Sequence, residues 1–282
     1  MLNWSIRLFR VAGIQLAVHS TFFLLLGYIA WSGWADAVAA HQNGYIGALI
    51  NSFYLIVFFT CVVLHEFGHA LAARHYGISV PRILLLPIGG MAEFASIPRK
   101  PSQELVIAVA GPAVNFAIIA VLMIFAPFPS AHIGGFLGAF FSRSADTGVD
   151  IELGWRQLLI LMNLLMGCFN LLPVFPMDGG RVLRALLATR LPYLKATFAA
   201  ATVAKILATT GVLLALFWFS PPHYQMAVLF GFIYFAGEAE YRMVKRRETE
   251  DQRWQQVLAE YAVASARITS LSNVSDEKPQ QR

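Results

Sequence analysis

The segment 65–69, HEFGH, is the part of this 282-residue sequence best suited to chemistry, and the surrounding run 61–77 is otherwise largely apolar. Two histidines four residues apart project from one face of a helix, so His65 and His69 can bind one metal ion together. A catalytic zinc ion lowers the pKa of a bound water molecule to about 7. Glu66 is then placed to take a proton from that water and to pass it to a leaving group.

The composition indicates a polytopic membrane protein. The chain is 57% hydrophobic and only 13% charged, whereas a soluble domain carries about 25% charged residues. Ionisable groups inside a membrane span are rare and mark a functional site by default, so the setting of HEFGH strengthens the metal hypothesis. The net charge of +5 is attributed to cytoplasmic loops, and no nucleic-acid partner is expected.

The apolar runs predict about six transmembrane helices, the fourth of which breaks at Pro173 and Pro176. Residues 78–102 hold four prolines and are too broken for a span, so a small membrane-associated β-hairpin that turns at Gly89-Gly90 is expected. The predicted fold class is therefore an all-α polytopic membrane protein with this hairpin. The predicted spans are 11–34, 46–76, 103–127, 155–190, 198–219 and 225–243.

The domain prediction is one integral membrane domain, residues 1–244, followed by a cytoplasmic tail, residues 245–282, that is helical and then disordered. With six spans, the basic segments fall on one side, which predicts that both termini are cytoplasmic and that the membrane is the cell's inner or plasma membrane. The basic segments are the N-terminus, 74–100, 181–195 and 245–247. The opposite side is predicted to hold Asp36, Asp146, Asp150 and Glu152, against Arg143 and Arg156.

Two histidines leave a catalytic metal site one protein ligand short, because catalytic zinc commonly takes three. Asp178 is the favoured third ligand, since it lies at the broken point of the fourth span, where backbone can line a cavity. The alternative role for Asp178 is to cap the helix that follows it. Glu238 and Glu240, near the end of the sixth predicted span, remain as alternative third ligands.

Three motifs together resemble those of the site-2 protease family of intramembrane zinc metalloproteases, and in particular its compact six-span prokaryotic members without appended regulatory domains. The motifs are HEFGH at 65–69, GPAVN at 111–115 and N-x-x-P-x-x-P-x-D-G-G at 170–180. The resemblance covers about residues 10–243. The first and third motifs carry most of its specificity.

The resemblance implies one catalytic zinc ion bound by His65, His69 and Asp178, with Glu66 as the general base. It also implies that Asn170 faces the site and holds the substrate or the developing oxyanion. The alternative for Asn170 is a hydrogen bond between helices, which intramembrane asparagine also makes.

Further family features are implied less directly. Asn115 is a candidate substrate-binding residue that lies near the site, and the alternative is that it only packs the Gly-Pro bend before it. The segment 84–94, LLLPIGGMAEF, is similar to the family's membrane-inserted hairpin, which makes Gly89 and Gly90 candidate substrate-binding residues. The hairpin either lends an edge strand to an unwound substrate or shields the zinc cavity.

The expected function is that of an intramembrane zinc metalloendopeptidase, which cleaves a membrane protein substrate in or near a transmembrane segment within the lipid bilayer. The sequence names no regulatory membrane partner. A rival hypothesis is a non-proteolytic membrane metal-binding protein or transporter, in which the same ligands hold a structural or transported ion. Such a protein needs no general base, so the role of Glu66 separates the two.

Overall fold

The computed structural model describes residues 4–87, 89–95, 100–125 and 155–276, as a bundle of helices that carries a small sheet at one end. Its four strands are β1 (Ser5–Val11), β2 (Ile14–His19), β3 (Arg82–Leu86) and β4 (Gly89–Glu93). The helices of these described residues are α1 (Thr21–Ala39), α2 (Gly44–His75), α3 (Pro101–Phe125), α4 (Trp155–Asn170), α5 (Asp178–Ala188), α6 (Tyr193–Phe217) and α7 (Tyr224–Asp276).

The sheet has the order β1-β2-β3-β4, in which β2 pairs with β3 in parallel and the two outer pairs are antiparallel. The prediction of one span over 11–34 is therefore wrong at its start. Residues 14–19 form the buried strand β2, and α1 begins only at Thr21. The reason is tertiary: β3 supplies a backbone partner from far along the chain, and this pairing prevails over the local apolar pattern.

The predicted hairpin is present as β3 and β4, but its turn is misplaced in the prediction. Leu86 pairs with Gly89, so the connection comes before the glycine pair, and both glycines belong to β4. Gly89 has a φ of +139°, a backbone conformation that glycine adopts readily and other residues rarely do. This freedom lets β4 start directly after the turn. The hairpin is also part of a four-stranded sheet rather than an isolated unit.

Four helices of the described residues, α1, α2, α3 and α6, are long and apolar enough to cross a membrane, and α4 contains a shorter apolar helix. Large apolar side chains project outward from the bundle, whereas ionisable and amide side chains lie inside it. Such an arrangement suits a lipid environment. The all-α polytopic fold class with a small sheet is confirmed. Examples of the outward-facing apolar side chains are Leu24, Tyr45, Ile124, Phe217, Val228 and Phe235.

The predicted acidic loop, with Asp146, Asp150, Glu152 and Arg143, lies outside the described residues.

The helices pack as a series in which α2 occupies a central place. Helix α2 contacts α1, α3, α4 and the strands β3 and β4, while α3 also contacts α4 and α5. Helix α5 packs on α6, and α6 packs on α7. An apolar cluster that includes Ile14, Ile83, Ala70 and Ile107 joins the sheet to α2 and α3. The elements that carry the three motifs therefore meet in one region.

Helix α7 is 53 residues long and passes without a break through the predicted domain boundary at 244/245. The tail is helical as far as Asp276, whereas the polar end of the tail, residues 272–282, is predicted from the sequence to be disordered. At 1.5 Å per residue the helix measures about 80 Å, well over the roughly 30 Å of a bilayer core. The division into a membrane domain and a tail stays a prediction.

Candidate metal centre

Helix α2 brings His65 and His69 to one face, with their ring centroids 4.8 Å apart and their planes at 82°. Both residues are buried, at 4% and 3% exposure. The helix periodicity alone produces this approach, because residues four apart lie one above the other on the same face. The sequence expectation for this pair of side chains therefore agrees with the geometry.

Asp178 reaches the histidines from a tight turn between α4 and α5. It is the first residue of α5, whereas the N-cap position belongs to Met177, which makes no side-chain cap. A Cβ atom on Gly179 would lie 2.2 Å from the Leu172 carbonyl oxygen, and one on Gly180 would lie 2.7 Å from the Val174 carbonyl carbon. Only glycine permits the turn to close this tightly, and the closure aims Asp178 into the bundle instead of along its own helix.

Three ligand atoms converge at this point. The Nε2 atoms of His65 and His69 are 3.1 Å apart, and Oδ2 of Asp178 lies 3.2 Å from the first and 3.0 Å from the second. A tetrahedral zinc ion with bonds of about 2.0–2.1 Å separates its ligand atoms by about 3.3–3.4 Å. The triangle is therefore close to the size that such an ion requires. Among the described residues, these three form a group that could hold a metal ion.

The opposite ring nitrogens of both histidines are engaged as donors. Nδ1 of His69 lies 2.7 Å from the carbonyl oxygen of Ile107, and Nδ1 of His65 lies 2.5 Å from Oδ1 of Asn115. Both partners are oxygens that can only accept, so each Nδ1 carries the proton. In its neutral form, each ring then has its lone pair on Nε2.

The chemistry of this donor set fits a cation. Two imidazole nitrogens and a carboxylate oxygen face one another in a buried space at about 3 Å. When both rings are neutral these three atoms are acceptors that repel one another, and buried acceptors without a donor or a cation are costly. A divalent ion held by the three residues would satisfy all of them at once. Neutral imidazole with its other N–H held by an acceptor is also the form that metal sites use.

Glycine on α3 makes room for the ligands. A Cβ atom on Gly111 would lie 2.2 Å from Nε2 of His69 and 2.8 Å from Nε2 of His65. One on Gly68 would lie 2.6 Å from the carbonyl oxygen of Ala110. The glycines of HEFGH and GPAVN therefore let α2 and α3 approach each other closely at the level of the three ligand atoms.

Glu66 lies on α2 beside the ligand group and faces the hairpin. Its Oε2 accepts a hydrogen bond from the backbone N–H of Ala92 on β4, at 3.2 Å. A Cβ atom on Gly90 would lie 2.6 Å from Cγ of Glu66. The strand β4 thus packs directly on the glutamate that adjoins the ligands. Gly90, one of the two glycines expected to contact substrate, adjoins Glu66, while a Cβ on Gly89 would meet nothing within 4 Å.

The two predicted asparagines take different places. Asn115 is fully buried and touches His65, so it lies at the ligand group and orients a ligand, instead of only packing the bend. Asn170, at the end of α4, donates through Nδ2 to the carbonyl oxygen of Met166 on its own helix, at 3.0 Å. Its catalytic role stays a prediction.

The alternative third ligands lie elsewhere. Glu238 forms ion pairs with Lys205 and with Arg242, the latter at 2.6 Å. Glu240 pairs with Arg184 at 2.5 Å. Their carboxylates are thus committed to cations near the contact of α6 and α7. The structure therefore favours Asp178 as the residue that completes the group.

One buried residue at the site escaped the sequence interpretation. Asn163 of α4 is fully buried, and its Oδ1 accepts from Nδ2 of Asn115 at 2.9 Å. Its own Nδ2 lies 3.3 Å from Sγ of Cys61 on α2. Asn163 belongs to none of the three motifs. The sequence does contain a signal for Asn163. It is an asparagine, in addition to Asn170, within the apolar run of α4, where polar side chains are rare and need a partner.

Comparison with known proteins agrees with this geometry. The family model described as Peptidase family M50 matches residues 53–218. A zinc metalloprotease of Methanocaldococcus jannaschii is 38% identical over 244 residues, which cover 86% of this chain and 62% of that protein. The stage IV sporulation protein FB of Bacillus subtilis is 29% identical over 163 residues, which cover 58% of this chain and 48% of that protein.

A solved structure is also similar. The site-2 protease from Methanocaldococcus jannaschii superposes with a TM-score of 0.53 at 37% sequence identity, covering 84% of this chain and 95% of that one. The chain belongs to peptidase family M50. It is a multi-pass membrane protein, as its apolar helices and this membership together indicate. The chain spans less than two thirds of the length of the curated relatives that it matches.

Proposed function

We propose that this protein is a zinc metalloendopeptidase that cleaves another membrane protein in or near a transmembrane segment. The observation that carries the proposal is the buried triangle of His65, His69 and Asp178, with Glu66 in the same turn of α2 as the first histidine. Membership of family M50 and the similarity to a zinc metalloprotease of Methanocaldococcus jannaschii support zinc as the ion.

Each residue has a defined task in this proposal. His65, His69 and Asp178 hold the ion, which when bound lowers the pKa of water and polarises the scissile carbonyl group. Glu66 accepts a proton from water on a carboxylate oxygen and delivers it to the nitrogen of the leaving peptide. The N–H of Ala92 positions that carboxylate by donating to Oε2. The other carboxylate oxygen, Oε1, then accepts the proton. Asn170 is retained as a candidate for holding the substrate or the oxyanion.

The position of the hairpin formed by β3 and β4 favours a substrate that is unwound into an extended strand. A helical segment has no free backbone groups, so its peptide bond must be exposed before attack. Strand β4 is at the edge of the sheet and lies against Glu66. An extended substrate strand beside β4 would have its backbone groups paired next to the proposed general base. We assign substrate contact to the region of Gly89 and Gly90 on this basis.

The proposed setting is the inner or plasma membrane, with both termini cytoplasmic. Strands β2 and β3 are hydrogen-bonded, so the segments before α1 and after α2 lie on the same side of the bundle. Arg74 donates to the carbonyl oxygen of Ala12, which brings the basic end of α2 to that same side. Basic residues on the cytoplasmic side follow the charge asymmetry of membrane proteins. A regulatory partner is left without assignment.

The test compares the wild-type chain with Glu66→Gln and Asp178→Ala in cells that lack the native protein. Membrane proteins that accumulate uncut are identified by mass spectrometry, and the zinc content of each purified variant is measured. Both variants are expected to abolish cleavage of the same substrate. Glu66→Gln keeps the zinc because it alters no ligand, whereas Asp178→Ala loses it because the ion is left with two protein ligands.

Unchanged processing in the Glu66→Gln cells would contradict the proposal. If that variant kept zinc while every membrane protein was processed as in the wild type, the chain would be a metal-binding protein or transporter. A suitable control is Glu250→Gln on α7, an exposed carboxylate that is distant in sequence from the ligand group.

A further inference from the structure

Asn163 and Asn115 lie beside the proposed ligands, and neither takes part directly in the proposed chemistry. Both side chains are fully buried in helices that pack together, at 0% exposure. A primary amide offers two donor hydrogens and an acceptor oxygen, and burying them without partners is costly. Their hydrogen bonds therefore decide what they do.

The bonds form one directed chain that ends on the backbone. Nδ2 of Asn163 donates to the carbonyl oxygen of Leu159 at 2.9 Å, one turn earlier in α4. Oδ1 of Asn163 accepts from Nδ2 of Asn115 at 2.9 Å, and Oδ1 of Asn115 faces Nδ1 of His65 at 2.5 Å. Each amide uses its nitrogen on one side and its oxygen on the other.

The direction of this chain follows from its fixed end. The carbonyl oxygen of Leu159 can only accept, so Asn163 must turn its nitrogen toward it and its oxygen toward Asn115. Asn115 must then turn its nitrogen toward Asn163 and its oxygen toward His65. Because this oxygen can only accept, Nδ1 of His65 must carry a proton.

The second histidine reaches the same state by a shorter route. Nδ1 of His69 faces the carbonyl oxygen of Ile107 directly, at 2.7 Å. Both histidines are thus tied to a backbone carbonyl oxygen, one directly and one through two amides. In both cases the neutral ring has its lone pair on Nε2, the atom that faces the carboxylate of Asp178.

We propose that Asn163 is a positioning residue for the metal centre, which fixes the tautomer and the ring orientation of His65 by fixing the direction of the Asn115 amide. Without Asn163, Asn115 is free to rotate its amide and to present its nitrogen to His65. That arrangement requires an acceptor at Nδ1 and moves the proton to Nε2, where it blocks the ion. The inference rests on the proposed metal centre and is independent of whether the protein cleaves peptide bonds.

The experiment measures metal binding by the full-length protein purified in detergent. Zinc affinity is measured by competition with a chromophoric chelator, and the absorption spectrum of bound Co²⁺ reports the ligand geometry. Asn163→Leu keeps a similar volume but removes the side-chain hydrogen bonds to Asn115, Leu159 and Cys61. It is expected to weaken zinc binding by about 10–100-fold, the range for loss of a partner that orients a ligand, and to shift the Co²⁺ spectrum.

A double variant tests whether Asn163 acts through Asn115. Asn115→Leu alone is expected to weaken zinc binding at least as much as Asn163→Leu, and Asn115→Leu/Asn163→Leu no more than Asn115→Leu. Leu161→Ala, a loss of buried apolar volume from α4 at 5% exposure, is the control for general loosening. It is expected to lower the unfolding temperature and to leave both metal readouts unchanged.

Two results would overturn the inference. The first is wild-type zinc affinity and an unchanged Co²⁺ spectrum in Asn163→Leu, or in Asn163→Ala if the leucine variant fails to fold. The second is full additivity of the two asparagine substitutions, which would mean that Asn163 acts independently of Asn115. Both results leave the proposed function standing. A wild-type protein that binds neither ion would instead overturn the proposed function itself, and the inference with it.

Discussion

Gly111 is the residue that leaves space for the ligand group. It lies on α3 directly opposite the two imidazoles, where a Cβ atom would stand 2.2 Å from one Nε2 and 2.8 Å from the other. Contacts below 3.0 Å to rigidly held rings force something to move. The rings themselves are fixed at Nδ1, so the displacement would fall on the geometry of the ligand atoms. A glycine at this position is therefore a condition for metal binding and not only for helix packing.

The first prediction is that Gly111→Ala weakens zinc binding by about 10-fold or more, a loss comparable to that from misoriented ligands. Zinc affinity of the purified variant, measured by chelator competition, checks this. Gly27→Ala is the matched control, because a Cβ atom on Gly27 in α1 meets nothing within 4 Å. Equal affinities in the two variants would show that the close contact at Gly111 is relieved without cost to the site.

For single residues, the separation along the chain determines which contacts can be predicted from the sequence. His65 and His69 are predictable as neighbours because helix periodicity is local. The approach of Asp178 was predictable only from the break before it, since glycines and prolines mark irregular backbone. The link from Asn163 to Asn115 was not predictable, because it joins two helices at positions 48 residues apart. A single amide in an apolar run has no periodic signal that names its partner.

Helix α5 is held in place by a buried cluster of charges. Arg184 is 1% exposed and contacts the carboxylates of Glu104 on α3 and Glu240 on α7. Its guanidinium group also lies 5.2 Å from the ring centroids of Phe175 and Tyr193. Asp178 is on this same helix, six residues earlier. The cluster therefore ties the helix that carries Asp178 to α3 and to α7.

The second prediction is that Arg184→Ala destabilises the protein by about 3–5 kcal/mol, the cost of leaving a buried carboxylate without its partner. Glu104 would suffer this cost, since it is fully buried and its Oε2 already has no hydrogen-bond partner. Thermal unfolding in detergent, followed by circular dichroism, measures the change. Arg190→Ala, an exposed arginine just after α5, is the control. A variant as stable as this control would refute the role of the cluster.

The N-terminal strands explain why element boundaries were harder to foresee than elements. The run from Val11 to His19 is as apolar as a span and continues into α1, so local pattern favours one helix. Its state is decided by β3, which follows two complete helices later. Pairing over such a separation is a property of the folded chain, and hydrophobic periodicity carries no information about it. By contrast, the long apolar runs of α2, α3 and α6 needed no distant partner to be recognised.

On the scale of the whole molecule, the distribution of polarity is reversed relative to a soluble protein. The buried side chains include two histidines, two asparagines and several charged groups, while large apolar side chains face outward. Composition alone foretold this membrane setting, because 13% charged residues cannot cover a soluble surface. The sidedness of the chain rests on a separate argument, from the basic residues and the sheet.

The third prediction concerns that sidedness. Green fluorescent protein fused after residue 282 is expected to fluoresce, and alkaline phosphatase at the same position to stay inactive, since the C-terminus is proposed to be cytoplasmic. Phosphatase inserted between α1 and α2, near residue 42, is expected to be active. This insertion is the internal control, because one crossing separates it from the sheet. Active phosphatase at the C-terminus would refute the proposed topology.

The parallel pairing of β2 with β3 joins two segments that the ribosome makes at different times. When β2 leaves the ribosome, the strand that will cover its inner edge has not yet been synthesised. Helices α1 and α2 are made between them, so β2 and β3 can pair only after both helices have been synthesised. A nascent chain that ends at Gly77 already contains HEFGH but lacks β4, whose Ala92 later holds Glu66. The contact between β4 and Glu66 at the proposed metal centre can therefore form only after the first helical pair has been synthesised.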